Sequence, residues 1–161
     1  TNVTLRLTKK NHKINSEYYS LKNDLKENGI KKPTIKKIAQ SVSNIRKEKL
    51  PDYEKIGNAG SFFKNPIIDK SKLKKIKSLY PDIISYNIGK SNYKIPAGWL
   101  IEKCGFKDIK QKKVSVYEKQ ALVIINLGDA KGIDIYAFSQ KIKETVREKF
   151  DILLEEEVNI I

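Results

Sequence analysis

The 161 residues contain no methionine, one cysteine, one histidine and one tryptophan. Cys104 alone cannot form an intrachain disulfide. Set among apolar neighbours in Trp99-Leu100-Ile101-Glu102-Lys103-Cys104-Gly105, it reads as a small buried hydrophobe. His12 reads as a surface-loop residue, and so sparse a ligand set predicts no metal site. No run approaches the ~20 apolar residues of a membrane span, and no charged-then-apolar leader opens the chain, so a soluble, cytoplasmic protein with no membrane partner is expected. Neither Gly-x-Gly-x-x-Gly nor Gly-x-x-x-x-Gly-Lys occurs, which argues against a dinucleotide held by those loops. The start, Thr1-Asn2-Val3-Thr4-Leu5-Arg6-Leu7, alternates like a strand in mid-sheet. Together with the missing methionine, it suggests a chain cut from a longer reading frame.

Acidic residues are scarce relative to basic ones, 19 against 33, which leaves a formal charge of +14. That balance admits a basic nucleic-acid-binding module as the alternative reading. Of the basic residues, however, only Arg6, Arg46 and Arg147 are arginine. Base readout and bidentate phosphate recognition lean on arginine, whereas scattered lysine is the usual solubilising residue. The balance therefore favours no nucleic-acid partner.

Hydrophobic residues make up 39% of the chain, enough for a core in about one domain. Leu21 and Leu25 lie at helical spacing before Gly29, a natural stop. Pro33 and Thr34 open a second helix, with Ile35, Ile38, Ala39, Val42 and Ile45 on one face until Leu50-Pro51-Asp52. The segment Gly57 to Ile68 suits a sharp turn feeding a short buried strand. Ser71 is placed to cap a helix through Leu73, Ile76 and Leu79 that Pro81 ends, with a strand around Ile83 to Ile88 after it. Pro96 at a first helical turn starts a short helix ending at Gly105. Ala121 to Asn126 has the length and continuity of a buried strand. Asp134 is placed to cap the longest helix, with Ile135, Phe138, Ile142 and Val146 inward, and Asp151 to Ile161 reads as a final strand. Interspersed helices and strands predict an α+β fold, a mixed or antiparallel sheet packed with helices.

The string Gly57-Asn58-Ala59-Gly60-Ser61-Phe62-Phe63-Lys64-Asn65-Pro66 closely resembles a segment of the Tyr-loop, type I, UDP-N-acetylenolpyruvoylglucosamine reductase (MurB) family. Further resemblance runs through Arg46 to Asp52, Ile95 to Phe106, Glu118 to Val123 and Glu155-Glu156-Glu157-Val158. It implies the substrate-binding C-terminal half of a flavoenzyme, with residues 51–161 as the substrate-binding domain. Residues 1–50 would then be the tail of the flavin-domain sheet plus the tyrosine loop and helix, and the FAD-binding half would be absent. It also implies the chemistry of peptidoglycan-precursor synthesis. FAD takes hydride from NADPH and passes it to the enolpyruvyl group of UDP-N-acetylglucosamine-enolpyruvate, yielding UDP-N-acetylmuramate.

By the same resemblance, Ser61 matches a proton-donating serine and Glu157 a catalytic glutamate. Tyr18 matches the tyrosine of a substrate-covering loop, with Tyr19 the alternative one residue on. Lys49, Asn65 and Gln120 match substrate-binding residues. A serine hydroxyl is a weak acid, so it serves only a carbanion-like base, aided by a cation such as Lys49. Glu157 would meet a substrate carboxylate, which implies a neutral or proton-sharing role. Three positions depart from the family: Tyr19 stands where Gly usually follows the loop tyrosine, Tyr117 where many members carry His, and Glu156 where the family often has Pro. No cofactor-binding residue is expected on this chain, and the isolated fragment is expected to bind neither FAD nor NADPH.

Overall fold

The computed structural model describes residues 2–109 and 113–161. The helices are α1 (Tyr19–Glu27), α2 (Ile35–Lys49), α3 (Lys70–Leu79), α4 (Ala97–Lys103) and α5 (Gly132–Phe150), with a 3-10 turn at Phe106–Asp108. The strands are β1 (Gly57–Ser61), β2 (Ile67–Asp69), β3 (Tyr86–Asn87), β4 (Asn92–Lys94), β5 (Val114–Tyr117) and β6 (Gln120–Asn126). The fold is α+β, with both sheets antiparallel. The chain divides into two compact units, Thr1–Glu48 and Lys49–Ile161.

In the first unit, α1 buries Leu21 and Leu25 as their spacing predicts. Thr34 caps α2 by accepting the Lys37 N–H at 3.3 Å. Two expectations fail here, the second in part. Residues 2–7 form no strand, and Val3, Leu5 and Leu7 are exposed. Alternation gives a strand only where another strand offers an edge, and the described elements of this unit are helical. On α2 only part of the expected apolar stripe is covered: Ile38 and Ile45 are half-buried on the face of the buried Ser41, while Ile35 is 51% and Val42 39% exposed.

The second unit is built on two three-stranded sheets, ordered β1-β6-β5 and β2-β4-β3. Helices α4 and α5 pack against the first sheet, and α3 against the second. The core joins Phe63, Ile95, Leu100, Ile101, Ile142, Val146 and Leu154, all essentially inaccessible. Burying each such side chain stabilises the fold by about 1.5–3 kcal/mol. Tyr80, Trp99 and Phe150 form an aromatic cluster, with Tyr80 edge-on to Trp99 at 6.1 Å between centroids.

Several local expectations shift. Helix α3 is capped by Asp69, not Ser71; the Asp69 carboxylate accepts the Lys72 N–H at 2.8 Å and the Ser71 hydroxyl at 2.6 Å. A carboxylate at the positive end of a helix outcompetes a hydroxyl. Asp134 sits in the first turn of α5 and reaches back to accept the Lys131 N–H at 2.9 Å. Of the strand expected at Ile83 to Ile88, only Tyr86–Asn87 forms, paired with β4. The final strand expected at 151–161 reduces to one bridge, Phe63 to Glu156.

Candidate functional site

The string Gly57 to Pro66 builds an irregular strand end. In β1 the Asn58 Oδ1 accepts the Gly60 N–H at 3.0 Å, and Gly60 takes φ +73°, a conformation in which a side chain is strained. The register against β6 shifts between Asn58 and Ser61, a bulge that turns the strand just before Ser61. Ser61, opposite Val123, is exposed at the end of β1.

At Phe62 the chain changes partner. Its N–H donates to the Leu122 carbonyl at 2.9 Å, while its carbonyl accepts the Glu157 N–H, also at 2.9 Å. The Lys64 N–H then donates to the Glu155 carbonyl at 2.8 Å, closing a short antiparallel pairing around the Phe63–Glu156 bridge. Glu157, exposed, is thereby fixed beside the residue that follows Ser61. Lys64 and Glu155 also form an ion pair across the pairing.

Two more of the predicted residues meet at the start of α4. Asn65 Oδ1 accepts the Ala97 N–H at 2.8 Å. It supplies from a distant loop the cap that Pro96 lacks, since Pro96 makes no side-chain cap bond. Gln120 Oε1 lies against Gly98, where a Cβ would stand only 3.2 Å away. A glycine at 98 lets the helix approach the first residue of β6. Asn65 and Gln120 thus both reach the first residues of α4, while Glu157 lies beside Phe62, next in the chain to Ser61. Tyr18 lies in the first unit, at the N-cap of α1 and exposed, and Lys49 is the last residue of α2.

Sequence reasoning missed the role of Glu156. Its carboxylate receives the Lys143 ammonium at 2.8 and 2.9 Å and the Gln140 amide at 3.0 Å. Partial burial would raise its pKa, but the hydrogen bonds from Lys143 and Gln140 outweigh that and hold it below the ordinary carboxylate value. The only available signal was the unusual Glu in place of Pro. Cys104 ends α4 half-buried, and desolvation pushes its thiol up to about 11.

Residues 51–161 match the sequence model of the family described as UDP-N-acetylenolpyruvoylglucosamine reductase, C-terminal domain. The chain belongs to this family. It is 44% identical over its full length to the UDP-N-acetylenolpyruvoylglucosamine reductase of Flavobacterium johnsoniae, covering 48% of that relative. It is 39% identical to the enzyme of the same name from Pseudomonas aeruginosa over 98% of this chain and 46% of the relative. For the Porphyromonas gingivalis protein, also of that name, the figures are 46% identity, 90% and 43%. The chain spans about half the length of the curated relatives it matches. These names give no support to the nucleic-acid reading.

The reductase family implies a flavin, and the local lining can be tested against one. Near the Ser61–Glu157 pair lies a groove of about 500 Å³ lined by Ala59, Phe62, Gly132, Ile133, Ile135, Tyr136 and Val158 to Ile161. No basic side chain lines it, so it offers a flavin apolar contact but no charge for its pyrophosphate. These residues alone do not make a flavin site. Among the described residues no helix is long and apolar enough to cross a membrane, and no His/Cys/Asp/Glu group is arranged to hold a metal.

Proposed function

We propose that this chain is the substrate-binding half of a UDP-N-acetylenolpyruvoylglucosamine reductase. It would act in the cytoplasm with NADPH as reductant and FAD held by another half of the enzyme. Residues 51–161 form the substrate domain, and residues 1–50 join it to the flavin-binding half. The observation that supports the reading is the pairing at Phe62, whose carbonyl accepts the Glu157 N–H one residue past Ser61.

In this reading a flavin held by the other half would supply hydride to C3 of the enolpyruvyl group, and the task left to this chain's residues is to stabilise the charge that moves toward the carboxylate and to give C2 a proton. Ser61 donates that proton from the exposed end of β1, and its momentary alkoxide is offset by a cation, the role given to Lys49. Glu157 faces the substrate carboxylate. Two like charges repel there, so Glu157 takes a neutral or proton-sharing role and donates a hydrogen bond to the charge growing on the intermediate. Asn65 and Gln120 hold the nucleotide-sugar portion. Because Asn65 Oδ1 is engaged by Ala97, its amide N–H is the group it offers to the ligand. Tyr18 covers the bound substrate.

The test is substrate-dependent NADPH oxidation by the enzyme encoded in the reading frame that carries this chain. UDP-N-acetylglucosamine-enolpyruvate is expected to drive oxidation and yield UDP-N-acetylmuramate. NADPH oxidation that is indifferent to this substrate would overturn the proposal. The 161-residue chain alone is expected to show no flavin absorption band, and a tightly bound flavin would contradict the division of labour.

A further inference from the structure

We propose that Lys143 and Gln140 are positioning residues for Glu157, acting through the carboxylate of Glu156. The role they would serve rests on the reading of Glu157 given under Proposed function; their hold on its backbone does not.

The segment that carries Glu157 has little secondary structure of its own. It is held by the buried side chains of Ile152 and Leu154, by Val158 packed on the core, by the Lys64–Glu155 ion pair and by one bridge, Phe63 to Glu156, flanked by two backbone hydrogen bonds. A single bridge is a weak anchor, since strand pairing gains stability from a run of neighbours. Beyond it Asn159, Ile160 and Ile161 are exposed. At the position just before Glu157, the side chain of Glu156 adds a further tie to α5. Lys143 Nζ reaches both of its oxygens, at 2.8 and 2.9 Å, and Gln140 Nε2 reaches one at 3.0 Å. The Lys143 and Glu156 side chains are only 20% and 19% exposed, so water competes poorly for either.

The anchor itself is rigid. Gln140 and Lys143 lie one turn apart on α5, whose Phe138, Ile142 and Val146 are in the core. The next residue along the chain, Glu157, therefore has its backbone fixed twice, by its own N–H to Phe62 and by the side chain just before it to α5. Loss of the Lys143 ammonium would leave a partly buried carboxylate without its cation, and the segment would lift to hydrate it. The Glu157 N–H reports that lifting directly.

The 161-residue chain carrying Lys143→Met, Lys143→Arg or Glu156→Gln is examined by amide hydrogen exchange. Lys143→Met should speed exchange at the Glu157 N–H by about tenfold or more, the scale of a lost charge-assisted hydrogen bond, with the Ile142 and Val146 amides unchanged. Lys143→Arg keeps the cation and its donors and should restore protection. Glu156→Gln keeps shape and acceptor but not charge, and should give an intermediate rise. Unchanged Glu157 exchange in Lys143→Met, or a rise matched by the α5 amides, would overturn the proposal; if Lys143→Met does not fold, the Glu156→Gln and Lys143→Arg pair decides. In the longer enzyme, Lys143→Met should slow substrate reduction while leaving flavin reduction by NADPH unchanged. A wild-type enzyme inactive on the enolpyruvyl substrate would sink the proposed function and leave the exchange result to decide the positioning.

Discussion

The Glu157 N–H donates to the Phe62 carbonyl at 2.9 Å, one residue past Ser61. That bond joins the C-terminal segment to the end of β1, so that Glu157 lies beside the residue that follows Ser61. The separate roles of Ser61 and Glu157 make separable predictions.

Ser61→Ala in the longer enzyme is expected to leave flavin reduction by NADPH nearly intact and to slow reduction of the enolpyruvyl substrate. Loss of general acid catalysis costs about 100-fold to 10,000-fold. Rapid mixing resolves the two half-reactions, and equal damage to both would count against a proton donor.

Glu157→Gln should outperform Glu157→Ala in the substrate-reduction step. An amide keeps a donor, whereas Ala leaves the developing charge without one, a loss of about 100-fold to 1,000-fold in rate. Equal rates for the two variants would refute the neutral-donor role.

Asn65→Ala should destabilise the domain, because the Ala97 N–H at the start of α4 loses its acceptor. The cost expected of a lost cap is about 0.5–2 kcal/mol, read from urea unfolding, and Asn65→Asp should recover most of it. An Ala variant as stable as the wild type would mean that α4 does not depend on this bond.

The depressed pKa of Glu156 fixes the sign of a pH effect. A carboxyl bound more tightly as its anion in the folded state adds stability above its ordinary value of 4.5, and that stability is lost as the pH falls through the lower folded value. The wild type should therefore exceed Glu156→Gln in stability at pH ~7, with the difference shrinking below pH ~4.5. A difference that is constant with pH would exclude the charge as its source.

Cys104 should react slowly with thiol reagents. Its thiol is pushed up to about 11 from 9.0 by burial, so at pH ~8 the native chain should label about 100-fold more slowly than the unfolded one. Equal rates would show that the thiol is neither buried nor shifted.

Much of the fold was legible in local pattern. Helices α1, α3, α4 and α5 and strand β6 follow from spacing, from Pro and Gly punctuation and from one unbroken apolar run, because each is decided within a few turns of its own chain. Residues 2–7 and 151–161 show the limit. Both carry strand-like stretches, but a strand needs a partner edge, and periodicity does not say whether one exists; the first forms no strand and the second forms a single bridge. The candidate residues were likewise legible as types in a motif, yet their assembly was not. Glu157 comes beside Phe62, next in the chain to Ser61, only because the chain changes partner there, and Asn65 acts on α4 only because a loop returns to Ala97. The Lys143–Glu156 clamp is an ion pair between residues that no helical or strand period relates. Sequence settled which groups were present and which segments were helical, since those depend on short-range sterics and hydrogen bonding. Tertiary structure decided which groups meet, because ladder pairing and charge pairing depend on distances that only the packed core sets.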